Sequence, residues 1–213
     1  MLSKDSAKTI LCYGDSNTRG SVPKLADSPS EKHPRSVRWT GVLQNLIGDD
    51  FEIINEGLSG RTLVAFNSEY PERTGITHLK AILLTHRPID LVIVMLGTND
   101  VKDIYNLSAE QISEHLEQTI KLIQEQGVQK TLVVCPAKVI AREDGTVDAR
   151  FSKAPEKMEK LPLLFKEVAE KYNCNFLNLQ EHITSSKIDG FHLEPEMHRK
   201  IGELLAKEIS KIL

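Results

Sequence analysis

Three side chains at the ends of apolar runs carry the chemistry this sequence could perform. The run Thr9-Ile-Leu-Cys-Tyr13 stops abruptly at Gly14-Asp15-Ser16. Such a run reads as a buried strand delivering a serine to the rim of a sheet, where the chain turns sharply and glycine is at home. A serine hydroxyl is a poor nucleophile near neutral pH. It needs a base within hydrogen-bond reach, and that base needs an orienting partner. Asp189-Gly-Phe-His192 offers both. A carboxylate three residues before a histidine can fold back across one turn, bind Nδ1–H and leave Nε2 facing the hydroxyl. Ser16 is therefore read as nucleophile, His192 as general base and Asp189 as its orienter.

Acyl transfer also needs donors aimed at the developing oxyanion. The candidates are the backbone N–H of Ser16, the backbone N–H of Gly57 in Asn55-Glu-Gly57, and the side-chain amide of Asn99 in Gly97-Thr-Asn-Asp100. Losing one such donor typically costs ~10²–10³ in turnover. Asp15 and Asp100 read as acceptors for turn N–H groups rather than as catalysts.

Positioning these residues falls to an alternating set of elements. Apolar strand patterns occur at residues 9–13, 52–55, 91–96, 131–135 and 175–179. Helical patterns occur at 39–47, 76–86, 108–126, 155–172 and 194–213, and Ser108 with Gln111 forms a capping-box pattern. The run Leu91-Val-Ile-Val-Met-Leu96 is apolar at every position, as expected of a central parallel strand covered on both faces. Strict alternation predicts an α/β fold: a three-layer α/β/α sandwich on a flavodoxin-like, five-stranded parallel sheet, in one domain over residues 1–213. Active residues should lie beyond the carboxyl ends of the strands, and Ser16, Gly57, Asn99 and Asp189–His192 all fall there. The irregular stretches 57–77 and 136–154 are expected to wall the substrate pocket.

Bulk properties narrow the classes. The chain has 213 residues and a formal charge of −3, with no basic excess to mark a nucleic-acid partner. No apolar run is long enough to span a bilayer. Met1-Leu-Ser-Lys-Asp-Ser-Ala-Lys8 lacks the apolar core of a secretory leader, so none is expected. Cys12, Cys135 and Cys174 are odd in number and widely spaced, which predicts small buried thiols and a cytoplasmic setting rather than a disulfide framework or a metal site. Trp39 is expected to pack on the core. Arg61 either binds a substrate carboxylate, orients the second loop or forms a structural ion pair. His86 and His115 read as solvated or capping. His182 and His198 flank the proposed base, but neither has an aspartate three residues before it.

Two other functions compete. Asp15, Asn99, Asp100 and His192 are ligand types at loop ends and could form part of a metal-dependent phosphoesterase. Gly14-Asp-Ser-Asn-Thr-Arg-Gly20 could belong to a non-catalytic nucleotide- or phosphate-binding module, although it lacks the Gly-Lys-Ser/Thr ending of a P-loop. No Gly-x-Ser-x-Gly elbow of an α/β-hydrolase occurs.

Taken together, Gly14-Asp15-Ser16, Gly57, Gly97-Thr98-Asn99-Asp100 and Asp189-x-x-His192 resemble the four ordered blocks of the SGNH hydrolases, the GDSL esterase/lipase superfamily. The resemblance implies the three-layer fold, a triad of Ser16, His192 and Asp189, an oxyanion hole of Ser16, Gly57 and Asn99, and no metal or other cofactor. Arg38-Trp-Thr-Gly-Val-Leu43, Glu56-Gly-Leu-Ser-x-Arg-Thr62 and Leu91–Asp100 resemble the bacterial arylesterase/acyltransferase branch. That likeness implies hydrolysis of small short-chain or aryl esters, possible transfer of the acyl group to alcohols, and self-association into a homo-oligomer. The first block departs from the usual Leu-Thr-x-Gly by reading Asn17-Thr-Arg-Gly20, with Arg19 where the branch often has an aromatic. Arg19 is expected either to make the mouth favour polar or anionic substrates or to pair with a neighbouring acid.

Overall fold

Alternating β and α patterns give a parallel sheet here because each strand must be carried back by a helix to start beside its neighbour. In the computed structural model, which describes residues 7–25 and 29–213, the strands are β1 (Lys8–Gly14), β2 (Phe51–Gly57), β3 (Leu91–Met95), β4 (Thr131–Cys135) and β5 (Asn175–Asn178). All neighbours pair in parallel, in the order β2-β1-β3-β4-β5. The helices are α1 (Ser16–Arg19), α2 (Trp39–Ile47), α3 (Gly75–Thr85), α4 (Ala109–Glu125), α5 (Ala154–Lys171) and α6 (Pro195–Ile212). This is the expected three-layer, flavodoxin-like architecture. Residues 1–6, on which the expectation of no secretory leader rests, lie outside the described residues. Among the described residues no helix is long and apolar enough to cross a membrane.

Side-chain alternation along β1 divides the core in two. Leu11 and Tyr13 face one cluster, with Leu79 and Leu83 of α3, Ile112, Leu116 and Ile120 of α4, and Met158 and Phe165 of α5. Ile10 and Cys12 face the other, with Trp39 and Leu43 of α2 and Ile201, Leu205 and Ile209 of α6. Trp39 is fully buried, as its sequence position suggested. Burying each large aliphatic contributes about 1.5–3 kcal/mol, so both helix layers are held firmly to the sheet. The capping box at the start of α4 forms: Gln111 N–H donates to Ser108 Oγ at 3.2 Å, and Ser108 N–H donates to Gln111 Oε1 at 2.9 Å.

Two local features depart from the sequence reading. Leu179 is not the last residue of β5 but opens a short 3₁₀ turn, Leu179–Glu181, capped by the Asn178 side chain, which accepts Gln180 N–H at 3.1 Å. The turn after β1 is itself helical, α1. Asp15 caps it, with Oδ1 accepting Asn17 N–H at 2.9 Å, and Gly20 closes it at φ 84°. The sheet order reverses between β1 and β3, and in open parallel sheets that switch point opens a crevice beyond the strand ends. Ser16 and Asn99 both stand at this crevice.

Candidate active site

The loop after β5 forms the half of the candidate site that is easiest to build from first principles. Asp189 lies three residues before His192, and the chain between them curls so that the carboxylate accepts three hydrogen bonds from its own segment, with a fourth from the distant Lys24 backbone. His192 Nδ1 meets Asp189 Oδ2 at 2.7 Å. The backbone N–H groups of His192 and Phe191 donate to Oδ1 at 3.0 and 3.1 Å, and that of Lys24 donates to Oδ2 at 3.1 Å. Burial pushes the Asp189 carboxyl up, but the hydrogen bond and charge of His192 and the N–H donors outweigh it and leave the pKa below the usual carboxylate value. Asp189 is therefore an anion that fixes Nδ1 as the protonated ring nitrogen.

Ser16 opens α1 and is largely buried. Asn17 Nδ2 donates to Phe191 O at 3.0 Å, tying the residue after the serine to the residue before the histidine. The two segments are thus joined side by side, with both functional side chains buried between them. No hydrogen bond links Ser16 Oγ to His192 among the described residues. Catalytic hydrogen bonds are often long without substrate and tighten in the complex.

Asn99 sits at the end of the β3 loop. One of its amide hydrogens donates to Arg61 O at 3.0 Å. The other faces Asp15 Oδ2 at 3.4 Å, long enough to leave that hydrogen weakly held. Asp15 is buried and its pKa is pushed up to about 6, chiefly by desolvation, against the Asn17 N–H bond and the nearby His192 and Lys102 charges. Asp100 is also fully buried and raised by desolvation. Its two oxygens accept Leu63 N–H at 3.0 and 3.2 Å, which fastens the second loop to the third. Asp15 accepts an N–H of its own turn, as expected, whereas Asp100 accepts one from the second loop rather than from its own.

Gly57 departs from its expected role. It is the last residue of β2, paired with Gly14, and its N–H donates to Asn55 Oδ1 at 3.0 Å. A Cβ there would lie 2.1 Å from Arg19 N, so this glycine lets the backbone of α1 rest on β2. The amide expected to face the oxyanion is engaged within its own strand end. The next turn supplies another: Arg61 N–H donates to Leu58 O at 3.0 Å, and Gly60 takes φ 82°, which favours glycine. Gly60 N–H has no partner among the described residues, and its turn is joined to Asn99 through Arg61 O. The Ser59-Gly60 dipeptide was the available sequence signal.

The remaining candidates resolve as structure. Arg61 is buried, donates to Gly14 O at 3.0 Å and to Glu56 O, and lies 4.2 Å over the Tyr13 ring. It locks the ends of β1 and β2 together. Arg19 donates to Ser21 Oγ at 3.1 Å rather than to an acid. His198 is fully buried, accepts Trp39 N–H at 3.3 Å and is pushed down to a pKa of about 3, mainly by burial. It cannot rival His192 as a base near neutral pH. His115 is not solvated but faces Asp100 at 4.0 Å, and His86 meets Glu56 at 3.0 Å. Burial pushes the Cys12 and Cys135 thiols up, so neither is a thiolate nucleophile. Among the described residues no group of three or more His, Cys, Asp or Glu side chains is placed to hold a metal ion.

Comparison with known proteins gives the family and the fold. Residues 12–200 match the GDSL-like Lipase/Acylhydrolase family. An aryl esterase from M. smegmatis superposes with a TM-score of 0.92 at 33% identity, over 97% of this chain and 100% of that one. A carbohydrate acetylesterase from Sinorhizobium meliloti gives 0.92 at 31%, with the same coverage. An arylesterase from Vibrio mimicus is 25% identical over 98% of this chain and 91% of its own. The chain spans 47% of the length of another curated relative, the Bacillus subtilis lipoprotein YqeF, at 24% identity.

Proposed function

Because the chain belongs to the GDSL-like lipase/acylhydrolase family and is thereby a carboxylic ester hydrolase, we propose that it cleaves small short-chain or aryl esters through an acyl-enzyme on Ser16. His192 removes the hydroxyl proton as Oγ attacks the carbonyl carbon, then returns it to the departing alcohol. Water, activated by the same imidazole, releases the acid. A second alcohol in place of water gives acyl transfer. Asp189 holds the imidazole and stabilises its positive charge in both steps. The oxyanion donors in this reading are Ser16 N–H, the loosely held Asn99 amide hydrogen, and Gly60 N–H in place of Gly57. One catalytic domain over residues 1–213 suffices for this chemistry.

The observation carrying the proposal is the 2.7 Å Asp189–His192 contact on a segment tied to that of Ser16 by the Asn17–Phe191 bond. The test is 4-nitrophenyl acetate hydrolysis by wild type and Ser16→Ala. We expect kcat to fall by ~10⁴–10⁶, and a fluorophosphonate to label Ser16 and no other residue. Equal turnover in the two proteins would reject the mechanism.

A further inference from the structure

The loop that carries Asn99 also carries a cation the proposed mechanism does not use. Lys102 follows three residues later, and its N–H donates to Asn99 O at 3.2 Å. The side chain is half-buried, with Nζ 5.5 Å from the centre of the Phe151 ring. Phe151 packs on Phe191 with centroids 5.0 Å apart, and Phe191 packs on His192 at 4.5 Å. The guanidinium of Arg150 covers the same two rings, 5.8 Å from Phe151 and 5.2 Å from Phe191. An aromatic wall therefore runs from the imidazole to two cations. Asp103 fixes the wall by accepting Ser152 N–H at 3.1 Å and Lys153 N–H at 3.2 Å, joining the Lys102 segment to that of Phe151.

Among the described residues Lys102 forms no ion pair with a carboxylate, unlike the two arginines nearest it. Arg150 pairs with Asp148 at 2.8 Å, and Arg73, whose side chain lies over Gly60, approaches Glu72 at 3.9 Å. The buried acids nearby are engaged elsewhere, Asp15 with Asn17 and Asn99, and Asp100 with Leu63. Burial first, then Arg150, lowers the Lys102 pKa to about 8, with Arg73 adding to this and Asp15 and Asp100 opposing it. The amine remains mostly charged at pH 7. A half-desolvated ammonium without a counter-ion is unfavourable, and an arriving anion relieves it.

We infer that Lys102 is a specificity-determining residue that selects esters bearing a carboxylate a few bonds from the scissile carbonyl, by pairing with that carboxylate beside the Phe151–Phe191 wall. This rests on the esterase reading of Ser16. The carboxylate could sit on the acyl or the alcohol half, and matched substrates separate the two. Mono-4-nitrophenyl glutarate is compared with 4-nitrophenyl valerate for the acyl half, and 3-acetoxybenzoate with phenyl acetate for the alcohol half.

The readout is the ratio of kcat/KM for the anionic ester to that for its neutral partner, which partial misfolding leaves unchanged. Wild type is expected to favour the anionic member of one pair by about tenfold or more. Lys102→Met should lower that ratio by about tenfold, mainly through KM, and Lys102→Arg should restore most of it. A wild-type ratio near one in both pairs, or a ratio that Lys102→Met leaves unaltered, overturns this inference while Ser16-dependent hydrolysis leaves the esterase mechanism standing. No Ser16-dependent turnover of any of these esters overturns both.

Discussion

Asp15, in the turn after β1, and Asp189, in the loop after β5, are both aspartates buried to within 2% of full occlusion, and both lie within reach of the His192 charge. Their acidities nevertheless move in opposite directions. Asp189 accepts three backbone N–H groups and a 2.7 Å bond from an imidazole that can become cationic. Asp15 accepts one close N–H, at 2.9 Å, and a long 3.4 Å contact from a neutral amide. Burial raises both carboxyls, and only the first has donors enough to reverse it. What a buried acid does in this protein is therefore set by the donors around it together with how deeply protein encloses it, which is more for Asp15 than for Asp189.

The sharpest way to break this comparison is to remove the charge from each in turn. Asp189→Asn keeps the shape but favours the wrong imidazole tautomer, and kcat should fall by about 10⁴. Asp15→Asn should cost far less, within ~10–10², because its amide can still accept the Asn17 N–H. Steady-state kinetics on a simple aryl ester reads both. Comparable losses would mean that Asp15 shares the role assigned to Asp189.

The opposite shifts also predict opposite slopes of stability against pH. The Asp15 carboxyl, held up near pH 6, favours the folded state only while protonated. Its contribution is complete below about pH 4 and is lost as pH rises through about 6, by at most about 3 kcal/mol. Asp189, held low, contributes above about pH 4, and that contribution is lost as pH falls through its depressed folded value. Urea unfolding of Asp15→Asn beside wild type should therefore show the wild type losing ground between pH 4 and 7. A constant difference across that range would remove the buried-charge account of Asp15.

How much of this could be read in advance follows the same division between local and distant determinants. The Asp189-x-x-His192 pair was legible because both partners lie within one turn of chain. The five strands were legible because full burial imposes apolar runs such as Leu91–Met95. Gly57 was read without weighing Asn55 two residues earlier, whose Oδ1 takes its N–H in a local contact, and its neighbour Arg19 depends on how β2 meets α1, which no local pattern encodes. Lys102 gave no signal at all: its significance comes from Phe151 and Arg150, about fifty residues later in the chain. Substitution separates the two glycines. Gly57→Ala places a methyl 2.1 Å from Arg19 N and should cost ~1–3 kcal/mol of stability. Gly60→Ala meets the movable Arg73 side chain at 2.8 Å and an unfavourable φ, and should cost about 1 kcal/mol. The reverse order would place the tight contact at the wrong glycine.

A third acid completes the comparison from the other side, with strong donors and only partial burial at the surface. Glu117, on the outer part of α4, meets Lys121 at 2.8 Å, Lys171 at 3.0 Å and the Tyr172 hydroxyl at 2.7 Å. These bonds, that of Lys121 foremost, bring its pKa down to about 2. Judged by its partners alone, Glu117 would be an important source of stability. Solvent argues otherwise, because the two lysine side chains are more than half exposed and water screens each pair while their flexibility opposes it. Glu117→Gln should therefore change the unfolding free energy at pH 7 by no more than about 1 kcal/mol, and by less in ~0.5 M salt, where the Debye length falls to roughly 4 Å. Asp15→Asn should show no such salt sensitivity, since no mobile ion reaches its carboxylate. If Glu117→Gln instead destabilised the protein by several kcal/mol regardless of salt, donors alone would suffice without full burial, and the contrast between Asp15 and Asp189 would need another cause.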